Sequence, residues 1–376
     1  MAKKHRPTHT QESAAEGERV TTLELFFDLV FVFTLTQLSA RLHGSLSWES
    51  LLQSFLIFII LFWMYGGYVW LTNSVPPLTS DRQLLLIAGM SAFLICALAI
   101  PHAFTETGVT FGVGYLIVII VHGFMYVRAV GVKAGRFVPL NFLSAALVIA
   151  AGFTDGFAQY LLWGFAILCH VLTSLLSAGL QFGIKVGHFV ERHGLLLLVA
   201  LGESIIAIGA GIHELDLRFI LAAIMGLLLV AGLWWIYFAR DEEVARDTML
   251  ARSTAERLRQ ALGGYFYAFI PMLFGIILLA TGIQSSIEHL TTRLEPASAF
   301  VFGGGVGLYL IGTVIFRRVS GISDVTYRYV AAFLTLLTGF LGVNLYAGFQ
   351  FGCLILIVIL LVLAESNWGS TKPLAS

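Results

Sequence analysis

The sequence predicts an all-α integral membrane protein with about twelve membrane-spanning helices. Of its 376 residues, 58% are hydrophobic and only 12% are charged, and the mean hydropathy is +0.88. A water-soluble globular chain usually carries about a quarter charged residues, so most of this protein's surface must face lipid. The apolar residues also fall into long runs, and runs of roughly 17–25 residues are typical of membrane-spanning helices.

Twelve such runs follow one another along the chain. The first six are Thr22–Arg41, Glu49–Thr72, Gln83–Phe104, Val109–Val127, Phe137–Phe153 and Phe157–Ile184. The second six are Glu191–Ile212, Phe219–Ala239, Ala261–Ile283, Ala299–Phe316, Tyr329–Leu345 and Phe349–Ala364. The last two are counted separately because one straight helix over both would be about 54 Å long, well beyond a hydrocarbon core of about 30 Å.

The basic residues give an independent test of this count. With twelve crossings and a cytoplasmic amino terminus, 19 Lys and Arg residues lie on the cytoplasmic side and 3 on the other. Cytoplasmic loops of membrane proteins carry an excess of Lys and Arg. The distribution therefore predicts that both termini are cytoplasmic and that the chain lies in the inner membrane.

Four segments describe the organisation of the chain. We expect a disordered cytoplasmic tail at 1–21, a first six-helix half at 22–184, a second half at 185–364, and a cytoplasmic tail at 365–376. The halves resemble each other weakly in parallel order, which favours a duplication with both halves in one orientation. The one sizeable loop, Arg240–Gln260, mixes both charge signs without Pro or Gly, which is typical of a solvated connecting helix.

Composition also limits the partners. The formal net charge is zero, so a nucleic-acid partner is not expected. The three cysteines, Cys96, Cys169 and Cys353, lie in apolar runs and are interpreted as packing residues. No cofactor is expected, and no nucleotide-binding motif is present. The expected partners are membrane lipid and an unidentified small solute or cation, and the oligomeric state is left open.

Ionisable residues inside spans indicate where function resides, because such residues are energetically costly in a membrane. Glu24 and Asp28 lie four residues apart, on one face of the first helix. Glu191 and Arg192 lie where the seventh helix enters the membrane, and Glu203 lies about 16 Å deeper. These five residues are the candidates for an ion or substrate pathway that begins on the cytoplasmic side.

Structural alternatives compete with that interpretation. Glu24 and Glu191 suit the first turns of helices, where a negative charge complements the helix dipole. Arg192 can lock the first helix to the seventh by pairing with a carboxylate. The pair His188 and Glu191, one turn apart, is a weak candidate for a metal site, because carboxylate-bridged metal sites in helix bundles use two such pairs. His122 and His170 fall within spans, where a lone histidine most often hydrogen-bonds a neighbouring helix.

Three motifs carry a resemblance to a known family. They are Glu24-Leu25-Phe26-Phe27-Asp28-Leu29-Val30-Phe31-Val32, then His188-x-x-Glu191-Arg192-x-Gly194 running into Leu201-Gly202-Glu203, and Trp234-Trp235-Ile236-Tyr237-Phe238. On these residues the chain resembles the bacterial low temperature requirement A family from Thr22 to about Ala364. One departure lies in the ninth span, where the family pattern has a histidine after a Tyr-x-Tyr sequence and this chain has Phe269 after Tyr265-Phe266-Tyr267-Ala268. The departure argues against a proton-handling role at that position.

The family resemblance implies no substrate. The intramembrane carboxylates favour a secondary transporter or an ion-conducting protein, with Asp28 and Glu203 as the carboxylates that couple to a proton or cation. The alternatives are a membrane-embedded enzyme or metal-binding protein acting on a lipid-like substrate, and a structural or sensory membrane protein. An enzyme is the less favoured reading, because no nucleophilic Ser or Cys lies beside a base in the sequence.

Overall fold

The computed structural model describes residues 19–131, 138–177, 183–212 and 216–369. In these residues the regular secondary structure is entirely helical, with no strand. The first half contains α1 Thr22–Gly44, α2 Trp48–Ser74, α3 Ser80–Ala99, α4 Gly108–Val130, α5 Val138–Ala151 and α6 Gly156–Ser177. The second half contains α7 Val186–Ala210, α8 Leu217–Phe238, α9 Asp241–Ala251, α10 Thr254–Gln260, α11 Phe269–Glu288, α12 Pro296–Val319, α13 Thr326–Leu337, α14 Gly339–Asn344 and α15 Ala347–Gly369.

The predicted fold class is confirmed. Within the described residues, eleven helical stretches are long and apolar enough to cross a membrane. The remaining predicted span corresponds to α5, which has 14 residues and contains Pro139 in its first turn. The predicted span Tyr329–Leu345 consists of two helices, α13 and α14, which meet at Thr338. Most of the two predicted tails lies outside the described residues.

The segment Arg240–Gln260 is helical but less solvated than its composition predicts. It forms α9 and α10, which meet at Arg252 and Ser253, and Ser253 begins α10 with a capping box that includes Glu256. Asp241 is only 1% exposed and Gln260 is fully buried. A π-helical turn, Ala261–Tyr267, then joins α10 to the ninth span, α11.

Local chemistry sets where α1 begins. The Thr21 hydroxyl accepts a hydrogen bond from the Glu24 amide at 3.3 Å, and the Glu24 carboxylate accepts one from the Thr21 amide at 3.0 Å. This reciprocal arrangement satisfies two backbone donors that would otherwise have no partner at the helix start. The cap therefore fixes the position of Glu24 one turn before Asp28.

Three helices, α1, α7 and α11, pack against one another at the centre of the bundle. Helix α1 also contacts α2 and α3, while α11 also contacts α12 and α15. We call the end of the bundle where α1 begins the near side, and the end where it stops, at Gly44, the far side. The first and seventh spans, which carry the ionisable residues inside the membrane, are thus neighbours.

The two halves repeat one pattern of packing. In the first half, α1 packs on α2 and α3, α3 on α4, α4 on α5, α5 on α6, and α2 on α6. In the second half, α7 packs on α8 and α11, α11 on α12, α12 on α13, α13 on α15, and α8 on α15. The order of contacts is the same when α7, α8, α11, α12, α13 and α15 are matched to α1 through α6.

Candidate functional site

A buried cluster of charges joins α1, α2 and α7 at the near side. The Arg192 guanidinium lies between two carboxylates, with Nη1 at 2.9 Å from Glu24 Oε1 and Nη2 at 3.0 Å from Asp28 Oδ1. Arg192 also donates a hydrogen bond to the Thr72 hydroxyl of α2, and the Tyr65 hydroxyl donates to Asp28 at 2.9 Å. All five side chains are at most 1% exposed. We call these residues, together with His188, the near-side cluster.

The hydrogen bonds of Asn73 fix the protonation of His188. The Asn73 amide accepts from the Lys185 backbone N–H at 3.1 Å and donates to the Lys185 carbonyl at 3.1 Å, so its oxygen and nitrogen are unambiguously oriented. Its nitrogen therefore donates to His188 Nδ1 at 3.1 Å, which makes Nδ1 an unprotonated acceptor. Nε2 must then carry the proton that it donates to Glu24 Oε2, 3.2 Å away. His188 is a neutral imidazole in this arrangement.

This tautomer leaves the near-side cluster with a charge imbalance. Arg192 supplies one positive charge, and Glu24 and Asp28 supply two negative charges when both are ionised. The second oxygen of Asp28, Oδ2, is buried and has no hydrogen-bond partner among the described residues. A net negative charge in a membrane interior is costly, so the cluster favours one additional proton. Asp28 is the carboxylate at which this proton is expected, because one of its oxygens has no hydrogen-bond donor among the described residues.

Glu203 forms a second site deeper in the same interface between α1 and α7. Its Oε2 accepts a hydrogen bond from the Thr36 hydroxyl at 2.6 Å, and its Oε1 accepts one from the Ser39 hydroxyl at 2.9 Å. Glu203 is 3% exposed, and among the described residues no Lys, Arg or His forms an ion pair with it. The carboxylate is therefore held by two neutral donors inside a span, seven residues before α7 ends at Ala210.

An apolar layer separates Glu203 from the near-side cluster. Between the two sites, the fully buried side chains of α1 include Phe31 and Leu35, and those of α7 include Leu196 and Leu197. Thr34 is also buried there, but its hydroxyl donates to the Phe31 carbonyl of its own helix. The predicted polar path from the near side is thus interrupted, and the two sites are distinct.

One of the sequence-predicted candidates, Glu191, does not join these sites. Glu191 is exposed and lies on a different face of α7 from Arg192. His188 therefore has Glu24, and not Glu191, as its carboxylate partner. In the part of the chain that the structure describes, no group of three His, Cys, Asp or Glu side chains is arranged to hold a metal ion.

A second buried charge network, which the sequence analysis missed, ties together the near-side ends of the second half. Asp241 lies 2.9 Å from Arg317 and 2.7 Å from Arg328, and Glu365 lies 2.8 Å from both arginines. Arg328 is fully buried, and Arg317 is 7% exposed. Two positive and two negative charges are balanced here, so this network needs no additional ion. In the sequence these four residues are charges at the ends of spans, and charges at such positions are predicted to lie at the membrane surface.

Two further features lie wholly or partly in the first half. His170 Nε2 contacts the hydroxyls of Tyr115 and Ser144, the latter at 3.1 Å, and all three side chains are fully buried. An apolar cavity of about 210 Å³ opens beside α2, with Trp63, Trp70 and Phe266 among its lining residues. Its other lining residues are Met64, Gly66, Gly67, Leu71, Ser74, Val75, His122, Tyr126, Asn141, Thr173, Ser174, Leu258 and Leu262. Ser144 is closed off from solvent, so it does not provide an accessible nucleophile.

The fold and these contacts define a polytopic helical membrane protein whose ionisable side chains meet between its first and seventh spans. The chain belongs to the bacterial low temperature requirement A (LtrA) family, whose model matches residues 19–363. It is also 28% identical, over 399 aligned residues, to the uncharacterized protein RA0937 of Rhizobium meliloti (strain 1021). That alignment covers all of this chain and 95% of the relative. The family predicted from the three motifs is thus confirmed, and neither match names a substrate.

Proposed function

We propose that this protein is a secondary transporter or ion-conducting protein in which Glu203 and Asp28 bind and release a proton or a small cation during each cycle. The observation that carries the proposal is the environment of the Glu203 carboxylate. Glu203 is a carboxylate inside a membrane span, seven residues before the far-side end of α7 at Ala210, 3% exposed, with two hydroxyl donors and no cationic side chain paired with it among the described residues.

Physical chemistry limits what such a carboxylate does. An uncompensated charge in a low-dielectric interior is costly, so a buried carboxylate either holds a proton or attracts a cation. A purely structural carboxylate is usually paired, as Glu365 is with Arg317 and Arg328. Glu203 differs from Glu365 in this respect, and the difference favours an exchangeable proton or cation at Glu203.

The near-side cluster supports a second exchange site. With His188 neutral, Asp28 and Glu24 share one guanidinium, and Asp28 Oδ2 is left without a partner. A proton that arrives from the near side would neutralise Asp28 and weaken its attraction to Arg192. This change would loosen the contact between α1 and α7 at the near side, where the apolar layer of Phe31, Leu35, Leu196 and Leu197 begins.

The test is a flux assay on purified protein in liposomes loaded with a pH-sensitive dye, across a panel of monovalent cations and small solutes. Glu203→Gln keeps the shape of the side chain and one acceptor oxygen, while its amide nitrogen donates instead of accepting, and it removes the exchangeable charge. We expect this variant to lose pH-dependent flux while it remains folded and membrane-inserted. Glu191→Gln is the matched control, because Glu191 lies on the same helix but is exposed, and we expect its effect to be small.

The outcomes separate the proposal from its alternatives. Loss of flux in Glu203→Gln, with an unchanged melting temperature, supports coupling at Glu203. Unchanged flux in Glu203→Gln, or a variant that only melts earlier, contradicts coupling and leaves Glu203 as a structural residue. A parent protein that transports no solute or ion in the panel contradicts the transporter proposal and favours a structural or sensory role, or an enzyme acting on a lipid-like substrate.

A further inference from the structure

We infer that a hydrated, hydroxyl-lined route connects Glu203 to the far side between α1 and α11, and that His43 and Glu288 form its outer end. The inference rests on the proposed function, since it identifies the path by which a proton reaches the same carboxylate. It adds five residues with no role in the near-side cluster. They are Ser39, His43, Thr281, Ser285 and Glu288.

The inner part of the route begins at the carboxylate itself. The Ser39 hydroxyl donates to Glu203 at 2.9 Å. The Thr281 hydroxyl lies 3.3 Å from the Ser39 backbone carbonyl and 3.0 Å from the Ile277 carbonyl of its own helix. Ser39 is 6% exposed and Thr281 is 1% exposed. Polar atoms of α7, α1 and α11 therefore meet here, and because a carbonyl oxygen only accepts, a proton passes between the two hydroxyls through water.

The outer part lies one helical turn closer to the far side. Ser285 follows Thr281 by four residues on α11, and His43 follows Ser39 by four residues on α1, so both lie on the same faces about 6 Å further along. The Ser285 hydroxyl and His43 Nδ1 are 3.3 Å apart. His43 Nε2 is 3.3 Å from Glu288 Oε1, and these two side chains are 24% and 21% exposed. The route therefore reaches solvent at His43 and Glu288.

The two sides of Glu203 differ in chemistry. Toward the near side, the buried side chains that follow are apolar apart from Thr34, whose hydroxyl is bonded within its own helix, and Leu35 and Leu197 are among them. Toward the far side, hydroxyls, an imidazole and a carboxylate recur at every turn. Hydroxyl, imidazole and carboxylate groups accept and donate protons, and together with water they carry a proton where an apolar layer does not.

Two neighbouring hydroxyls indicate that this region accommodates water. Ser204 follows Glu203 and Ser286 follows Ser285; both are fully buried, and neither hydroxyl has a hydrogen-bond partner among the described residues. Buried hydroxyls are normally paired, and water is their ordinary partner where protein groups do not suffice. The gap of one turn between Thr281 and Ser285 is of a size that water bridges.

The charged groups around the outer end fit a proton entrance. Glu288 accepts from Gln284 at 3.4 Å as well as facing His43, and His289 Nδ1 contacts the Ser285 carbonyl at 3.1 Å. Arg41 is the nearest basic residue along α1, but its guanidinium is directed at α2, where it donates to the Ser50 carbonyl at 3.3 Å and to the Ser54 hydroxyl at 3.2 Å. Among the described residues, the titratable side chains that contact this end of the route are therefore one carboxylate and two imidazoles.

The first test measures water access and does not depend on transport. In a background with Cys96, Cys169 and Cys353 replaced by Ala, single variants Thr281→Cys and Ser285→Cys are treated with a membrane-impermeant, positively charged methanethiosulfonate reagent. Ile283→Cys is the matched control, because Ile283 lies on the same helix between them and is fully buried on another face. We expect labelling of both hydroxyl positions from the far side, with no labelling from the near side and none of Ile283→Cys.

The second test measures the route's contribution to flux. Thr281→Val and Ser285→Ala remove hydroxyls with little change in volume, and Glu288→Gln removes the outer charge. We expect each to slow proton flux in liposomes without altering the melting temperature, while Glu191→Gln has little effect. If Thr281→Cys and Ser285→Cys are labelled from the far side no more than the Ile283→Cys control, the proposed route is wrong, even if Glu203 is essential for flux. Far-side labelling in a protein without flux retains the route and contradicts the proposed function alone.

Discussion

At the scale of single residues, Arg192 is the side chain on which most of the near-side cluster depends. Arg192→Met removes the only positive charge between Glu24 and Asp28, which leaves two carboxylates buried together at 0% and 1% exposure. Breaking a buried ion pair by removing one partner typically costs about 3–5 kcal/mol. We expect a clear fall in melting temperature, measured by thermal unfolding in detergent.

A charge-removal series tests that explanation. The triple variant Arg192→Met, Glu24→Gln, Asp28→Asn has no uncompensated charge, so it should recover much of the lost stability. Arg218→Met is the surface control: its pair with Asp216 is exposed, and exposed pairs contribute about 0–1 kcal/mol. A triple variant that melts no later than Arg192→Met would show that the guanidinium stabilises the fold through packing, for instance against the Phe27 ring 5.6 Å away.

The sequence predicted part of this residue-level picture. Spacing of four residues placed Glu24 and Asp28 on one face, and opposite charge made Arg192 their natural partner. Spacing along one helix does not reveal which residue of another helix faces it, so Thr36 was not identified as a partner of Glu203. For the same reason, Asp241, Arg317, Arg328 and Glu365 were read as separate surface charges, although the fold brings them together.

At the scale of helices, close packing between α11 and α12 depends on glycine. A Cβ added at Gly275 would lie 2.7 Å from the Gly305 carbonyl oxygen and 2.7 Å from the Tyr309 nitrogen. A Cβ added at Gly305 would lie 2.6 Å from the Leu279 nitrogen. These neighbours are backbone atoms, so they can move only if the two helices separate.

Gly275→Ala should therefore destabilise the protein even though alanine is the better helix former. In a helix interior, Gly to Ala gains about 1 kcal/mol, whereas overpacking a close contact costs about 1–3 kcal/mol. Gly164→Ala in α6 is the control, because nothing lies within 4 Å of its added Cβ. We expect a lower melting temperature for Gly275→Ala and an equal or higher one for Gly164→Ala. If Gly275→Ala melts as late as the parent, the contact between α11 and α12 is looser than the structure has it.

Helix boundaries show what sequence pattern determines and what it does not. The start predicted for the first span, Thr22, agrees with α1 because the Thr21 and Glu24 cap is local in sequence. The seventh span was predicted to begin at Glu191, but α7 begins at Val186, five residues earlier. The polar residues His188 and Arg192 made that turn look like a membrane edge. They are tolerated in a buried turn because Glu24, Asp28 and Asn73 form hydrogen bonds with their side chains.

At the scale of the whole molecule, the repeated packing order of the two halves supports the predicted duplication. Under the matching of α1 with α7, the helices that carry the two carboxylate sites occupy equivalent positions and contact each other. Parallel membrane repeats place substrate and ion sites at the interface between repeats. Glu203, Thr36 and Ser39 lie at such an interface, which is where an exchange site would be expected in a transporter built from two like halves.

The final prediction assigns the near side to the cytoplasm. The predicted topology assigns nineteen Lys and Arg residues to the cytoplasmic side and 3 to the other side, and a wrong helix count would have mixed them in every later loop. Fusions at Asp155 and Ala347 should then have active alkaline phosphatase, and fusions of a fluorescent reporter at Arg252 should be bright. The same is expected at Arg136 and Ser376, which lie outside the described residues.

The short helix α5 makes this test sensitive. Its 14 residues span about 21 Å, less than a hydrocarbon core of about 30 Å, so it crosses only if the membrane thins or neighbouring helices shield its ends. If α5 failed to cross, Asp155 would lie on the same side as Arg136, and every helix after it would be inverted. Phosphatase activity at Arg252, with none at Asp155, would therefore overturn the twelve-span topology. The opposite result would fix α5 as a membrane span and place the outer end of the Glu203 route outside the cytoplasm.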